Sequence, residues 1–350
     1  MLDGRKIGVV VPAYNEEKLI GRVIETMPDF VDKIIIVDDL SKDKTIDVIE
    51  GYQAKIGPRL TLLKHTKNMG VGGAVLSGYK RALEDNLDVI AVMQGDAQTD
   101  PDELIDMVTP ILNEEADYTK GNRLFTGDAW NIIPRHRYLG NAFLSLSTKV
   151  SSGYWQVADS QSGFTAISNN ALTILQKGFG NLYKRYGFFN DLLIHLNVFN
   201  FRVQDVYITP IYDIGEKSGI KLRKVIPSLT LLLSRRFLWR MKEKYIIRDF
   251  HPLVFFYVMG SMLFWLGIII GTVKSYDRVF YGIRMPAATV VLVALLIITG
   301  LQSLFFAMWF DMEYSRQATS NSSRLASLSR HRSETISEKE ETTQQSSFHK

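Results

Sequence analysis

Asp96 and Gln98 stand two residues apart at the end of an apolar run, in Val89-Ile90-Ala91-Val92-Met93-Gln94-Gly95-Asp96-Ala97-Gln98, followed by Thr99-Asp100-Pro101. The run is too short for an ordinary helix and reads as a buried parallel strand that delivers polar groups at its carboxyl end. Side chains alternate along extended chain, so Asp96 and Gln98 are expected to point the same way. Together they would offer a carboxylate and an amide oxygen to one hard cation, leaving other positions for phosphate oxygens. A metal-bound diphosphate suits such a site. Standing alone, the same residues would make only a loop capping the helix that begins near Pro101.

A site of this kind needs a sheet edge to hold it, and the flanking sequence supplies one. Lys6-Ile7-Gly8-Val9-Val10-Val11-Pro12 reads as a strand broken at Pro12, followed by Ala13-Tyr14-Asn15-Glu16-Glu17 and an apolar-periodic helix through Met27. A second strand, Lys33-Ile34-Ile35-Ile36-Val37, ends in Asp38-Asp39-Leu40-Ser41-Lys42-Asp43. A third, around residues 60–63, leads to Asn68-Met69-Gly70-Val71-Gly72-Gly73-Ala74. Its glycines, Gly70 among them, permit close backbone approach at the start of a helix running to Leu83. Strands that end in polar loops before helices have the βα rhythm of an open, mostly parallel α/β sheet, whose ligands sit in the crevice beyond the strand carboxyl ends.

The segments at 10–17, 36–45, 68–74 and 95–101 occur in an order that resembles the family 2 glycosyltransferases of GT-A, Rossmann-like fold. The likeness is greatest to the polyprenyl-phosphate branch, the dolichol-phosphate mannose or glucose synthases, and covers about residues 5–222. The resemblance implies that Pro12, Tyr14, Glu16 and Asp39 surround a nucleotide sugar, and that Asp96 and Gln98 hold Mg2+ or Mn2+ against its diphosphate. It also implies transfer of a hexose, from a donor of the UDP-glucose or GDP-mannose type, to polyprenyl phosphate with inversion. One departure concerns the donor site: that branch usually has Asp where this chain has Gln94, so Asp96 lacks its acidic companion and metal affinity without nucleotide is expected to be poor.

Further along, Asp117-Tyr118-Thr119-Lys120-Gly121-Asn122-Arg123 resembles the family's strand leading to an arginine, and Pro134-Arg135-His136-Arg137 opens a helix. A reaction that brings a diphosphate donor to a phosphate acceptor needs fixed cations, and the planar guanidinium groups of Arg123, Arg135 and Arg137 suit it. Arg137 is the first choice for the acceptor phosphate. Asp159-Ser160-Gln161-Ser162-Gly163-Phe164 resembles a family segment near the sugar and the acceptor phosphate, which places Asp159 and Ser162 there. Asp191 matches a position where hydroxyl-acceptor relatives keep a base, but a lipid phosphate arrives already ionised and needs none. The family's arginine after its last strand is missing, and Lys217 or Lys221 is the expected substitute.

The remaining chain turns to the membrane. Of 350 residues, 252–273 and 285–310 contain no charge, and each run can cross a hydrocarbon core ~30 Å thick at ~1.5 Å per residue. Arg235, Arg236, Arg240, Lys242, Lys244 and Arg248 crowd the approach to the first run. By the positive-inside rule this puts residues 1–250 and the C-terminal tail in the cytosol. Asp3, Arg5 and Lys6 lead into a short strand, not into a signal-type apolar segment. The division expected is a GT-A domain at 1–222, amphipathic interfacial helices at 223–250, a transmembrane hairpin at 251–310 and a disordered tail at 311–350. The two spans also offer a surface for a homo-oligomer. No cysteine is present, which excludes disulfides and thiolate metal sites, and the net charge of +4 sits beside the membrane, where anionic lipid explains it better than nucleic acid. A processive polysaccharide synthase would carry a Gln-x-x-Arg-Trp motif and more spans, both missing; a non-catalytic scaffold finds encouragement only in Gln94.

Overall fold

The computed structural model describes residues 1–2, 4–124, 135–209, 211 and 222–348; at 135–139, 141, 222–225 and 318–348 it describes the backbone alone. Two compact units emerge, one of Met1–Arg236 with Ala318–Lys350 and one of Phe237–Gln317.

The first unit is built on a sheet whose strands are β1 (Ile7–Ala13), β2 (Lys33–Asp38), β3 (Leu60–Lys64), β4 (Val89–Val92), β5 (Tyr118–Asn122), β6 (Thr165–Ser168) and β7 (Val203–Tyr207). They lie in the order β3-β2-β1-β4-β6-β5-β7, a mixed, mostly parallel, GT-A-like sheet. All neighbours are parallel except β6, which runs against both β4 and β5. Continuous apolar runs such as Ile7–Val11 belong in strands covered on both faces. Val10, Ile35, Val37, Ile90 and Val92 face α3 (Val71–Glu84) and two later helices, α6 (Asn169–Gln176) and α7 (Phe188–Val198). The alternate residues Ile7, Val9, Val11, Ile34 and Ile36 face α1 (Ile20–Glu25), α2 (Thr45–Ile56) and α4 (Leu104–Leu112). Helix α5 (Arg135–Ser152) follows β5.

The reversed strand matters for function. Thr165, at the start of β6, pairs with Val92 and with Lys120. The segment entering β6 therefore arrives at the same sheet edge as the segments leaving β1, β2, β4 and β5.

In the second unit, the end of α8 (Leu222–Lys242) continues as a wider turn at Glu243–Arg248 before α9 (Leu253–Tyr281) and α10 (Ala287–Phe348). Two helices, Leu253–Tyr281 and Ala287–Gln317, are long and apolar enough to cross a membrane. They pack closely through glycine: a Cβ at Gly300 would lie 2.6 Å from the Phe264 nitrogen, and one at Gly260 3.0 Å from the Gly300 carbonyl oxygen. Arg240 and Lys244, two of the cations that crowd the approach to the first apolar run, are buried, and Arg240 makes a two-pronged pair with Asp311, with both contacts 2.8 Å. The helix also continues through the polar stretch expected to lack order. From Asp311 to Lys350 there is no glycine or proline to stop it.

Candidate active site at the carboxyl edge of the sheet

The loops after β1 and β2 are latched to each other. Asp39 donates its N–H to the Ala13 carbonyl (2.9 Å), Asn15 donates to Ser41 Oγ (2.9 Å), and Glu16 donates to Thr45 Oγ1 (2.8 Å). Tyr14 is left 43% exposed at this edge. Asp39, expected at the nucleotide, is bound to Gly70, the glycine expected to permit close backbone approach: Asp39 Oδ2 accepts the Gly70 N–H at 2.7 Å, and Oδ1 accepts the Met69 N–H at 2.7 Å and meets His65 Nδ1 at 2.8 Å. Gly70 has φ +81°, and a Cβ there would sit 2.8 Å from the Lys184 carbonyl oxygen. The close approach that this glycine permits is thus made by the chain's own 184–185 segment. Asp38, not singled out from sequence, is buried with Oδ1 lacking a hydrogen-bond partner among the described residues.

After β4 the geometry departs from expectation. The strand ends at Val92, and Ala97 takes a left-handed φ of 55°, while the Gln98 N–H turns back to Asp96 Oδ1 at 3.2 Å. The two-residue alternation that would align Asp96 with Gln98 is therefore interrupted. Gly95 lets this turn lie against β1, since a Cβ there would be 3.1 Å from the Pro12 carbonyl oxygen.

Asp96 acts instead on Glu16. Burial, then the charges of Asp96 and Asp43, push the Glu16 carboxyl up to about 7. A crowd of acids that resists ionisation is the electrostatic signature of a place that favours a cation. Asp96 and Gln98 bring to this turn a carboxylate and a carboxamide, oxygen donors of the type a hard divalent ion takes. Among the described residues no group of three or more His, Cys, Asp or Glu is placed to hold a metal ion. Glu16 folds with a raised pKa, so its contribution to stability is present below its ordinary value of 4.5 and is lost as pH rises through about 7. Glu16→Gln should therefore raise the unfolding temperature at pH 8 and leave it unchanged near pH 4, as read by differential scanning fluorimetry without added metal. Equal shifts at both values would remove the electrostatic account.

Across from these acids, Gln94, Gln98, Arg123, Ser162 and Gly163 line one small cavity, with Phe164, Ile208 and Ile211 as its apolar wall. Arg123 is fixed by Asp159, with Nε 2.7 Å from Oδ2 and Nη2 3.3 Å from Oδ1. Burial would push the Asp159 carboxyl up, but the Arg123 guanidinium and the Lys120 ammonium more than offset it and hold it below the usual range. Ser162 is tied into the wall: its carbonyl accepts from Lys120 Nζ at 2.7 Å and its Oγ accepts the Phe164 N–H at 3.3 Å.

Lys120 and Asp205 complete this support and were not legible as site residues. Lys120 is fully buried; burial lowers its pKa to about 8, against the raising effects of Asp159 and Asp205. Asp205 is pushed up to about 6, chiefly by burial, and accepts the Ala158 N–H at 2.8 Å. Lys120→Met should cost about 2 kcal/mol by leaving a buried carbonyl unpaired. It should also abolish the rise in stability that a lysine with a depressed folded pKa gives between about pH 8 and its ordinary 10.5. Denaturant titrations at pH 7.5 and 9.5 read both effects; an unchanged pH slope would remove Lys120 from this role.

Asp191 is not poised as a base. It is fully buried, accepts the Tyr183 N–H at 2.8 Å and pairs with Arg236 Nε at 2.8 Å. Arg135 and Arg137 fall in the first turn of α5, where side chains lie outside the described residues, and Lys217 lies outside them altogether.

Residues 8–174 match the family described as glycosyl transferase family 2. The UDP-N-acetylglucosamine–dolichyl-phosphate N-acetylglucosaminyltransferase of Methanococcus voltae is 33% identical over 218 residues, 59% of this chain and 86% of that one. A dolichyl-phosphate beta-glucosyltransferase of Trichomonas vaginalis is 31% identical, covering 67% of this chain and 73% of its own. The undecaprenyl-phosphate mannosyltransferase of Micrococcus luteus is 27% identical over 58% of this chain and 83% of that one. On the family match and the extent of these relationships, the chain belongs to glycosyl transferase family 2.

Proposed function

We propose that the protein transfers a sugar from a nucleotide sugar to polyprenyl phosphate at the cytosolic face of a membrane. The observation that carries this reading is the grouping of Gln94 and Gln98 with Arg123 and Ser162 at one water-sized recess of the carboxyl edge, next in the chain to Asp96, whose charge acts on Glu16. The acidic side suits a cation and the diphosphate of the donor, and the arginine side suits the second phosphate. Asp96 and Gln98 would hold Mg2+ or Mn2+, which when bound supplies charge to offset that building on the departing diphosphate. Arg123, held in orientation by Asp159, adds a fixed guanidinium and costs no reorganisation as charge develops. The acceptor phosphate attacks the anomeric carbon on the face opposite the diphosphate, so the anomeric configuration inverts. It is already ionised, which agrees with the commitment of Asp191 to Arg236. Arg135, Arg137 and Lys217 are kept as proposed phosphate ligands.

The relatives' acceptors, dolichyl and undecaprenyl phosphates, support a lipid substrate. The two apolar helices support an anchor at 251–310. Purified protein incubated with labelled nucleotide sugars and polyprenyl phosphate, with divalent cation or with chelator, should place label in the lipid phase only with cation and lipid present. Label released as free sugar, or no turnover with any donor, would refute the reading. In right-side-out vesicles, a cysteine at Tyr276 of this cysteine-free chain should react with an impermeant thiol reagent and one at Ser329 should not. The reverse pattern would invert the proposed orientation.

A further inference from the structure

We infer that Arg185 is a phosphate ligand of this site and that the Asp191–Arg236 pair holds it in place. This rests on the transferase reading and adds to it a cation that the reading does not use. Arg185 stands in the segment that closes on Gly70. A Cβ at Gly70 would lie 3.1 Å from Arg185 Cγ and 3.2 Å from its Cα, so the arginine's stem crosses a glycine whose φ of +81° side chains rarely adopt. The backbone is fixed at the same point, since Gly73 donates its N–H to the Lys184 carbonyl at 3.0 Å. The stem is placed and the charge is left over: among the described residues the exposed guanidinium has no hydrogen-bond or ion-pair partner.

The next residue ties the segment to the opposite wall. Tyr186 donates its hydroxyl to Gln161 Oε1 at 3.2 Å, and Gln161 donates its N–H at 3.0 Å to Asp159 Oδ1, on the carboxylate that orients Arg123. From behind, α8 holds the same segment. Gly187, with φ +109°, leaves room for Leu229, whose Cδ1 would be 2.7 Å from a Cβ there. Asp191 accepts the Tyr183 N–H at 2.8 Å and meets Arg236 through Nε at 2.8 Å and Nη2 at 3.0 Å. Leu229, Arg236 and the segment they hold belong to one compact unit. The carboxylate at the position of a hydroxyl acceptor's base thus serves as an anchor, and Arg236 is a positioning residue that acts through it.

A phosphate oxygen suits such a cation. A nucleotide sugar and a phosphate monoester together bring more negative charge than one divalent ion offsets, and Arg123 is already engaged by Asp159. Helix α3, of 14 residues, begins beside Arg185 at Val71, so its positive end adds to the same attraction. A guanidinium fork also matches two oxygens of one phosphate. Both substrates offer this chemistry. The place of Arg185 over Gly70, whose N–H is held by Asp39, points to the donor's diphosphate.

The test uses the full-length protein in detergent and three variants: Arg185→Met, which keeps the stem and removes the charge, Arg185→Lys, and Arg236→Met. UDP, GDP and polyprenyl phosphate are each titrated calorimetrically with divalent cation present. Arg185→Met should weaken the nucleoside diphosphate that wild type binds by about tenfold or more, the scale of one charged hydrogen bond, and flatten its salt dependence at an unchanged unfolding temperature. Arg185→Lys should recover part of the affinity, having the charge without the fork. Arg236→Met should weaken the same ligand, and combining it with Arg185→Met should add little, because both changes remove one contact. Loss confined to polyprenyl phosphate upholds the phosphate ligand and assigns it to the acceptor. Affinities of Arg185→Met within about twofold of wild type for all three ligands overturn the inference, as does a wild type that binds none of them. A loss that follows a lowered unfolding temperature and is not recovered by lysine also overturns it, and full additivity in the double variant overturns the part assigned to Arg236. Sugar transfer by Arg185→Met with wild-type kinetics overturns the inference and leaves the transferase reading standing. Diphosphate binding that depends on Arg185 in a protein that transfers no sugar upholds the inference and refutes that reading.

Discussion

Replacement of Asp96 by alanine should reduce transfer to polyprenyl phosphate by about a hundred- to a thousandfold, the scale of losing one preorganised electrostatic element, here the carboxylate proposed to hold the cation that offsets charge on the leaving group. Asp96 is the one carboxylate in Gln94-Gly95-Asp96-Ala97-Gln98, so no neighbour in that turn can take over its charge. Gln98→Ala should be milder, since a diphosphate oxygen or water can replace a neutral ligand. A second readout separates a charge effect from a collapsed loop. Asp96 is one of the two acids that raise Glu16, so Asp96→Asn should lower the Glu16 pKa from about 7 and shrink its pH-dependent destabilisation, even with no substrate present. Titration of the protein with Mn2+ in the presence of a nucleoside diphosphate, followed by the electron-spin signal of the free ion, should show weakened uptake in Asp96→Asn. Activity of Asp96→Ala close to wild type would end this assignment.

The parallel half of the fold was legible because its signals are local. β1, β2 and β4 are apolar runs that end in polar loops, and their period and punctuation lie within a few residues. The reversed β6 was not legible, because Thr165–Ser168 is too short to carry a direction and its orientation is set by partners about forty or more residues away in the chain. Within the site, the pairing of Asp96 with Gln98 by alternation failed at a single residue, Ala97, whose left-handed backbone has no marker in an alanine. The adjacent Asp38 and Asp39 look alike in sequence. Only the fold turns Asp39 into an anchor for the Met69 and Gly70 amides and leaves Asp38 Oδ1 buried without a partner among the described residues. Lys120 escaped notice for a related reason. A lysine in a strand reads as a surface residue, and what permits its burial is Asp159 and Asp205, both remote in sequence.

Breaking the Arg240–Asp311 pair should be the most damaging single change in the membrane-proximal unit. Both side chains are fully buried, the guanidinium meets the carboxylate through two 2.8 Å contacts, and Tyr245 donates its hydroxyl to the same carboxylate. Removing one member of such a pair costs about 3–5 kcal/mol, because the other is left charged away from water. The two sides are not equivalent. Lys244 is also buried there, its pKa lowered to about 7 by burial and then by Arg240, while Asp311 acts in the opposite sense. Asp311→Asn therefore leaves two cations facing each other without the carboxylate between them, whereas Arg240→Met leaves Asp311 with Lys244 as a remaining counter-charge. Asp311→Asn should be the worse of the two, and raising the pH from 6.5 to 8.5 should relieve it in part, because a Lys244 further depressed in this variant is then neutral. The double variant Arg240→Met/Asp311→Leu should recover most of the loss, since an apolar pair of similar volume can replace a buried ion pair at little cost. Thermal unfolding in detergent, followed by loss of the monodisperse peak in size-exclusion chromatography, gives the ranking. If the double variant is as unstable as Asp311→Asn, the pair acts through shape and hydrogen bonding that apolar side chains cannot reproduce, and the charge-balance account fails.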